Sequence, residues 1–288
     1  MGVIRFTGHR LLAGCMVLLF LAGCGRHPAA NEVRNVFGVD EREDLNKASY
    51  PWTTIGRLDS GCSGTLVGYR LVLTAAHCLV DQQTGRVKGN VSWFRPNYRP
   101  DGQAPALWIS EFWIGSRQPE DHRDKDWAFI LLDSAGGDAH GWMDVDPRGV
   151  AQQLPMTVQM AGYSADRLQG STLSLDADCS IRASGEGGRL LHDCDGTAGV
   201  SGAPLFSRQP GERAVIRSLA VSEYRNGAGV SVFRDAWSED YANVSISSPE
   251  MMTVWQELRR TVDRGGSAPA IATGFHLVNP NPKPVAGL

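Results

Sequence analysis

The sequence predicts an all-β protein. Its 33 Gly and 15 Pro are spread along 288 residues, which implies many turns, and the segments between them are short runs rich in Val, Ile, Leu and Trp. A hydrophobic content of 42% gives a chain of this length ample material for a core. The formal charge is only -3 and no long run of Lys or Arg occurs, so a nucleic-acid surface is not indicated. Beyond the N-terminus no stretch is apolar for the roughly 20 residues that a membrane span needs.

The N-terminus is read apart from the fold. Arg5, His9 and Arg10 precede the apolar run Leu11 to Leu21, the pattern of a signal peptide over residues 1–23. Its end, Leu21-Ala22-Gly23-Cys24, resembles the bacterial lipobox. That resemblance implies diacylglycerol on Cys24, cleavage before it and acylation of the new amine, and several acyl chains make a stable membrane anchor. The expected location is the cell envelope, on the periplasmic face of the outer membrane. The alternative is an ordinary secretory signal and a secreted protein, but Pro28 spoils the cleavage site that would end at Ala30. Residues 24–35 are polar and carry Pro28, as a tether would.

Strand-like runs follow in order: Trp52 to Leu58, Gly64 to Val67, Arg70 to Thr74, Val91 to Arg95, Leu107 to Ile114, and the run entered at Asp126 that ends at Leu132. A second set comprises Met156 to Ala161, Thr172 to Leu175, Cys179 to Ala183, Leu190 to Cys194, Pro204 to Phe206, Ala214 to Ser222 and Ala242 to Ser247. The two halves are alike in strand count. Ser248-Pro249-Glu250 opens a helix, with serine as cap, proline at the first helical position and an acid in the first turn. Met251, Trp255, Leu258 and Val262 recur at helical spacing, so one face packs on the body. Residues 265–288 show little pattern and read as a flexible tail.

Six cysteines are present; Cys15 leaves with the signal and Cys24 takes lipid. Cys62, Cys78, Cys179 and Cys194 remain, and four cysteines allow three pairings. Export would place them in an oxidising compartment, where disulfides persist.

Three residues carry the chemistry. Ser201 lies in the small-residue loop Cys194 to Phe206, framed by Gly199 and Gly202, and a serine hydroxyl attacks only when a base takes its proton and donors meet the oxyanion. His77 ends the run Val72-Leu73-Thr74-Ala75-Ala76, whose small residues let another segment approach. Asp126 directly precedes an apolar strand that would draw it inward, and a buried acid needs a partner. Asp121 and Asp124 are its rivals, but they lie in the charged loop Glu120 to Lys125. The other histidines, His9, His27, His122, His140, His192 and His276, are read as surface or core residues.

Gly61-Cys62-Ser63-Gly64-Thr65-Leu66-Val67, Val72 to Cys78, Asp126-Trp127-Ala128 and Gly199 to Pro204 occur in this order along the chain. Over about residues 37–264 it resembles the chymotrypsin-like serine proteases, in particular their bacterial glutamyl-endopeptidase-like branch. The resemblance implies two six-stranded antiparallel β-barrels, over residues 36–148 and 149–247, followed by the helix at 248–264. It fits local disulfides, Cys62 to Cys78 and Cys179 to Cys194. It also implies peptide-bond hydrolysis without a cofactor: Ser201 attacks, His77 takes and returns the proton, Asp126 fixes the histidine tautomer, and the Gly199 and Ser201 N–H groups form the oxyanion hole. Substrates would be polypeptides and the protein a monomer.

Departures from the family pattern are informative. The acid that pairs with a freed N-terminal amine in trypsin-type activation is replaced by Val200, so that latch is missing. Ala220 stands where the glutamyl branch carries a histidine for the substrate carboxylate, which argues against glutamate specificity. Asp195, six residues before Ser201, occupies the spacing at which trypsin-like enzymes bind Arg or Lys, although it would equally serve to brace the loop. Val221, Ser222 and Glu223 would pair with substrate backbone. The rival reading is an inactive protease-like binding module. A lipase or esterase needs the order Ser, acid, His, whereas here the order is His77, Asp126, Ser201, and no His-Glu-x-x-His motif supports a zinc protease.

Overall fold

Each strand of the two rings carries buried apolar residues, several of them on both faces. The computed structural model describes residues 1–2, 35–99, 101, 105–223, 237–271 and 273–281. Its strands are β1 (Glu43–Leu45), β2 (Ile55–Leu58), β3 (Ser63–Leu66), β4 (Leu71–Thr74), β5 (Trp93–Pro96), β6 (Leu107–Ile114), β7 (Ala128–Leu132), β8 (Asp144–Val145), β9 (Met156–Gly162), β10 (Leu173–Ser184), β11 (Arg189–His192), β12 (Pro204–Ser207), β13 (Val215–Glu223), β14 (Asn243–Ile246) and β15 (Phe275–Val278). The helices are the short α1 (Gly137–His140) and the longer α2 (Pro249–Arg260).

In the first barrel β5, β2, β3, β4, β7 and β6 form a six-membered ring that closes through β6–β7 pairing. Every residue of β4 and β7 is buried, as their unbroken apolar runs require. In the second barrel β11, β14, β13, β12, β9 and β10 close through β10–β9 pairing. The fold is therefore the expected pair of closed six-stranded antiparallel barrels, with β1, β8 and β15 added outside the rings. The two expected strands around Leu175 and Cys179 are one strand, β10, whose register shifts between Asp176 and Cys179. The polar Asp176-Ala177-Asp178 that suggested a turn is absorbed as a bulge. Residues Trp52–Thr54, expected as strand, form a single 3-10 turn before β2.

Helix α2 buries Met251, Val254 and Leu258, and Val262 follows in a 3-10 turn with 2% exposure. Trp255 Nε1 donates to the Val67 carbonyl at 2.8 Å, and Asp263 Oδ1 accepts the Arg70 N–H at 2.7 Å, so the helix is fixed to the first barrel at two depths. Ser248 occupies the N-cap position as expected, but its side chain makes no capping hydrogen bond.

The expected tail from residue 265 contains β15. This strand pairs with β6 from Phe275↔Ile114 to Val278↔Glu111, continuing the edge that β5 leaves free. His276 stacks on Trp113 at 4.6 Å and meets Glu111 at 2.7 Å, and the Asn279 amide donates to the Val91 and Ile109 carbonyls at 2.9 Å each. Backbone pairing and polar side chains hold this segment, so it lacks the apolar alternation by which a strand is recognised. Among the described residues no helix is long and apolar enough to cross a membrane. Residues 3–34, which hold most of the signal segment, Cys24 and most of the tether, lie outside the described residues.

Candidate active site

Strand β4 ends at Thr74, and Ala75 and Ala76, both fully buried, lead into a 3-10 turn Ala76–Cys78 that carries His77. A disulfide from Cys78 to Cys62 fixes this turn to the start of β3, with the Cα atoms 6.0 Å apart. Asp126 sits at the mouth of β7, and its carbonyl accepts the Ala76 N–H at 3.3 Å. Its carboxylate faces inward: Oδ2 lies 2.7 Å from His77 Nδ1, and Oδ1 accepts the His77 backbone N–H at 2.8 Å. The carboxylate thus fixes both the ring and the backbone of the histidine. Asp126 is buried, whereas Asp121 is exposed and Asp124 half-buried. Lys88 Nζ donates to the His77 carbonyl at 2.7 Å from the far side of the turn.

Ser201 comes from the second barrel, on a loop shaped by short backbone bonds. Val200 N donates to the Thr197 carbonyl at 3.1 Å, Ala203 N to Val200 at 2.8 Å, and Gly202 N to Ala220 at 2.8 Å. The loop is sewn to the first barrel at Ser63, whose N–H donates to the Ser201 carbonyl and whose Oγ donates to the Gly199 carbonyl, both at 2.9 Å. Gly199 holds φ at +96°, open to glycine without strain. Among the described residues the Gly199 and Ser201 N–H groups donate to no protein acceptor, which leaves both donors unused. No hydrogen bond joins Ser201 Oγ to His77 Nε2; Cys78 Sγ lies 3.8 Å from that nitrogen and 3.8 Å from the Ser201 carbonyl.

Cys62, His77 and Cys78 are the one group among the described residues with donor atoms close enough to share a metal ion, within 4.8 Å of one another. Both sulfurs are joined to each other, and a disulfide sulfur is not the thiolate ligand that a metal takes. The second disulfide, Cys179 to Cys194, lies in the smaller core of the second barrel beside Val158, Met160, Ile181 and Leu205. Both disulfides are the local pairs.

Ala220 is buried and holds the Ser201 loop through its own backbone, donating to the Ala203 carbonyl at 2.9 Å. Val221 is buried and Ser222 exposed. Residues Ser222 and Glu223 pair with β14 on one side, while β12 reaches only to Leu219 on the other, so the second edge of this stretch has no strand partner among the described residues. Asp195 is not brought to an open surface. It is 7% exposed, and its Oδ1 accepts the Phe37 N–H at 2.8 Å. Burial, with Asp176 nearby adding to it, pushes the Asp195 carboxyl up to about 7.

Two buried groups therefore give opposite pH dependences. The folded state keeps Asp195 protonated above the unfolded value, so its contribution is full below the usual carboxylate range and is lost as pH rises towards 7. His192 is fully buried in β11, its ring nitrogens have no hydrogen-bond partner among the described residues, and burial holds it down at about 3. Its contribution is present above the usual imidazole range and is lost as pH falls towards 3. Between about pH 4 and 6.5 the two slopes oppose each other. Urea unfolding should show Asp195→Asn gaining up to roughly 2 kcal/mol over the parent at pH 8 and little at pH 4. His192→Leu should instead gain most at pH 4 and little at pH 8; equal gains at pH 4 and pH 8 for either variant would contradict the assignment.

Sequence reasoning missed the residues that hold the loop from outside, namely Phe37, Arg42, Ser63 and Asp166. Their partners are remote in sequence, as with Phe37 and Asp195 at 158 residues, so no local spacing announces them.

Two closed barrels with His77 and Asp126 from the first and Ser201 from the second define a chymotrypsin-like architecture. The trypsin family model matches residues 39–228, and the chain belongs to that family. It is similar to serine protease 23 of Homo sapiens, 28% identical over 202 residues that cover 61% of this chain and 51% of that one. It is also similar to a glutamyl endopeptidase of Bacillus licheniformis, 22% identical over 203 residues, 69% of this chain and 63% of the relative. A stretch of 61 residues is 46% identical to inactive serine protease 35 of Mus musculus, covering 20% of this chain and 14% of that one. The chain spans about half the length of the first of these relatives. A solved structure of Glu endopeptidase in complex with MPD shares the fold, with a TM-score of 0.63 at 17% identity, covering 78% of this chain and all of that one.

Proposed function

We propose that the chain is a serine endopeptidase acting through Ser201, His77 and Asp126. The observation that carries this reading is the double hold of Asp126 on His77, through Nδ1 at 2.7 Å and the backbone N–H at 2.8 Å. With the Nδ1 proton held by the carboxylate, Nε2 is the basic nitrogen and is free to take the Ser201 proton. Ser201 Oγ attacks the peptide carbonyl, the Gly199 and Ser201 N–H groups receive the oxyanion, and His77 returns the proton to the leaving amine. Water then hydrolyses the acyl-enzyme by the same steps in reverse roles. The open edge at Ser222 and Glu223 supports β-addition of an extended polypeptide. We also propose that the mature chain is a monomer held in the bacterial cell envelope by lipid at Cys24. A lipid-labelling experiment on intact cells checks this: Cys24→Ser should lose incorporated palmitate and leave the membrane fraction.

A second reading, a binding module that does not turn over, is favoured by the missing Ser201 to His77 hydrogen bond and by the relative named inactive. A fluorophosphonate probe separates the two. Labelling of the folded parent at Ser201, absent in Ser201→Ala, supports the hydrolase; a parent with a cooperative melt and no labelling supports the binding module.

A further inference from the structure

Residues 35–45 run as a strap along the second barrel. At its far end the strap is a strand, β1, paired with β10 from Glu43↔Leu175 to Leu45↔Leu173. Nearer its start it is fastened to the loop that carries Ser201. Gly196 N donates to the Asn35 carbonyl at 3.1 Å, and the Asn243 amide donates to the Asn35 and Cys194 carbonyls at 2.9 and 2.8 Å. Phe37 N donates to Asp195 Oδ1 at 2.8 Å, and Asp195 N in turn donates to Asp176 Oδ2 at 2.7 Å.

A second line of contacts runs through charge. Arg42, its side chain 1% exposed, bridges Asp40 at 2.9 Å and Asp166 at 2.5 Å. Asp166 Oδ1 accepts the Thr197 hydroxyl at 2.7 Å. Thr197 is also the residue whose carbonyl accepts the Val200 N–H, the bond that forms the turn aiming the Gly199 and Ser201 N–H groups. Arg42, Asp166 and Thr197 therefore connect the strap to the turn itself. Arg167 adds a further bond to Asp40 at 2.6 Å, so the strap's acid has two cationic partners.

We infer that this strap holds the nucleophile loop in its reactive register, in place of the activation latch that Val200 lacks. The inference rests on the proposed hydrolase reading of Ser201. In it Asp195 and Arg42 are positioning residues. The donor to Asp195 is an interior peptide N–H, so the loop is set without a freed terminal amine. That arrangement suits a chain whose first mature residue is blocked by acylation, as proposed for Cys24. Asp195 then serves as an acceptor for the strap and not as the acid that selects a substrate side chain.

The experiment uses the full chain with its N-terminus intact and compares it with Asp195→Ala, Asp195→Asn and Arg42→Met. Three quantities are read: the second-order rate of fluorophosphonate labelling, hydrogen exchange at the Gly196 to Gly202 amides, and the melting temperature. The intact parent should label without processing. Asp195→Ala and Arg42→Met should label more slowly by one to two orders of magnitude, roughly what a small misplacement of reacting groups costs. Their loop amides should exchange faster, while the amides of β4 and β7 in the first barrel stay protected. Asp195→Asn retains a carbonyl oxygen for Phe37 N–H and should recover labelling to within about threefold of the parent. The inference is overturned if Asp195→Ala labels like the parent, or if the parent labels only after a cut near Val36 that frees an amine. Should neither the intact nor the cut parent label, the hydrolase reading fails. The strap is then judged on exchange alone: unchanged protection of Gly196 to Gly202 in Asp195→Ala overturns it, and faster exchange upholds its hold on the loop.

Discussion

Gly202→Ala should give a protein that does not label at Ser201 and melts well below the parent. Gly202 holds φ at +84°, a conformation that costs an L-residue roughly 1–2 kcal/mol on backbone grounds alone. The added Cβ would also lie 2.2 Å from the Ser63 carbonyl oxygen and 2.3 Å from Thr74 Oγ1. Neither atom can retreat easily. Thr74 Oγ1 donates to that same Ser63 oxygen at 2.7 Å, and Ser63 N and Oγ are the two stitches that hold the loop to the first barrel. Relief must therefore come from moving the loop, which pulls Ser201 away from His77 and breaks the Gly202 to Ala220 bond of 2.8 Å. The combined cost should exceed about 3 kcal/mol, in the range reserved for strain at a special backbone position together with overpacking. Gly187→Ala separates the two causes. Its φ is +65°, but among the described residues nothing lies within 4 Å of the added Cβ, so it should lose only about 1 kcal/mol and label at the parental rate. Thermal melting and labelling of the two variants side by side check this; similar losses in both would mean that backbone strain alone sets the cost.

The parts of the molecule that were legible in the sequence are those whose information is local. Strands β4 and β7 announce themselves as unbroken apolar runs because both of their faces are buried. Helix α2 is announced by Pro249 at its start and by the spacing of Met251, Trp255 and Leu258. His77, Asp126 and Ser201 stand out because each sits beside small or apolar residues that force the surrounding chain inward. The strap was not legible, since Asp40 and Arg42 look like solvated charges until Asp166 and Arg167, more than a hundred residues away, are placed beside them. The same limit applies to β15, whose hold on β6 comes from main-chain pairing and Asn279, not from a buried face. Asp195 was legible as a position with two roles open to it: its spacing from Ser201 suggested either a specificity acid or a brace for the loop, and its contact with Phe37 shows what its carboxylate faces.

Asp126→Asn should leave the fold standing and lower turnover of an activated ester by about four orders of magnitude, the loss that the same change brings in a triad of this kind. The geometry explains why no orientation of the amide rescues the histidine. Asp126 uses one oxygen for the His77 backbone N–H at 2.8 Å and the other for Nδ1 at 2.7 Å. Asparagine has one oxygen. If that oxygen keeps the backbone N–H, the amide NH2 faces Nδ1, which must then be the acceptor, and the proton moves to Nε2, where it blocks transfer from Ser201. If the amide turns over, its oxygen restores the tautomer but its NH2 is pressed against the His77 N–H, leaving two buried donors face to face at a cost of about 1–3 kcal/mol. The first orientation is the cheaper one, so the inactive tautomer wins. Alanine at the same position removes both acceptors and should lower stability as well as rate. The measurement is kcat and KM together with the melting temperature. A fall in kcat at nearly constant KM, with a melting temperature close to the parent's, identifies Asp126 as the residue that orients the base. A parental kcat in Asp126→Asn would instead mean that Ser201 takes its activation from elsewhere.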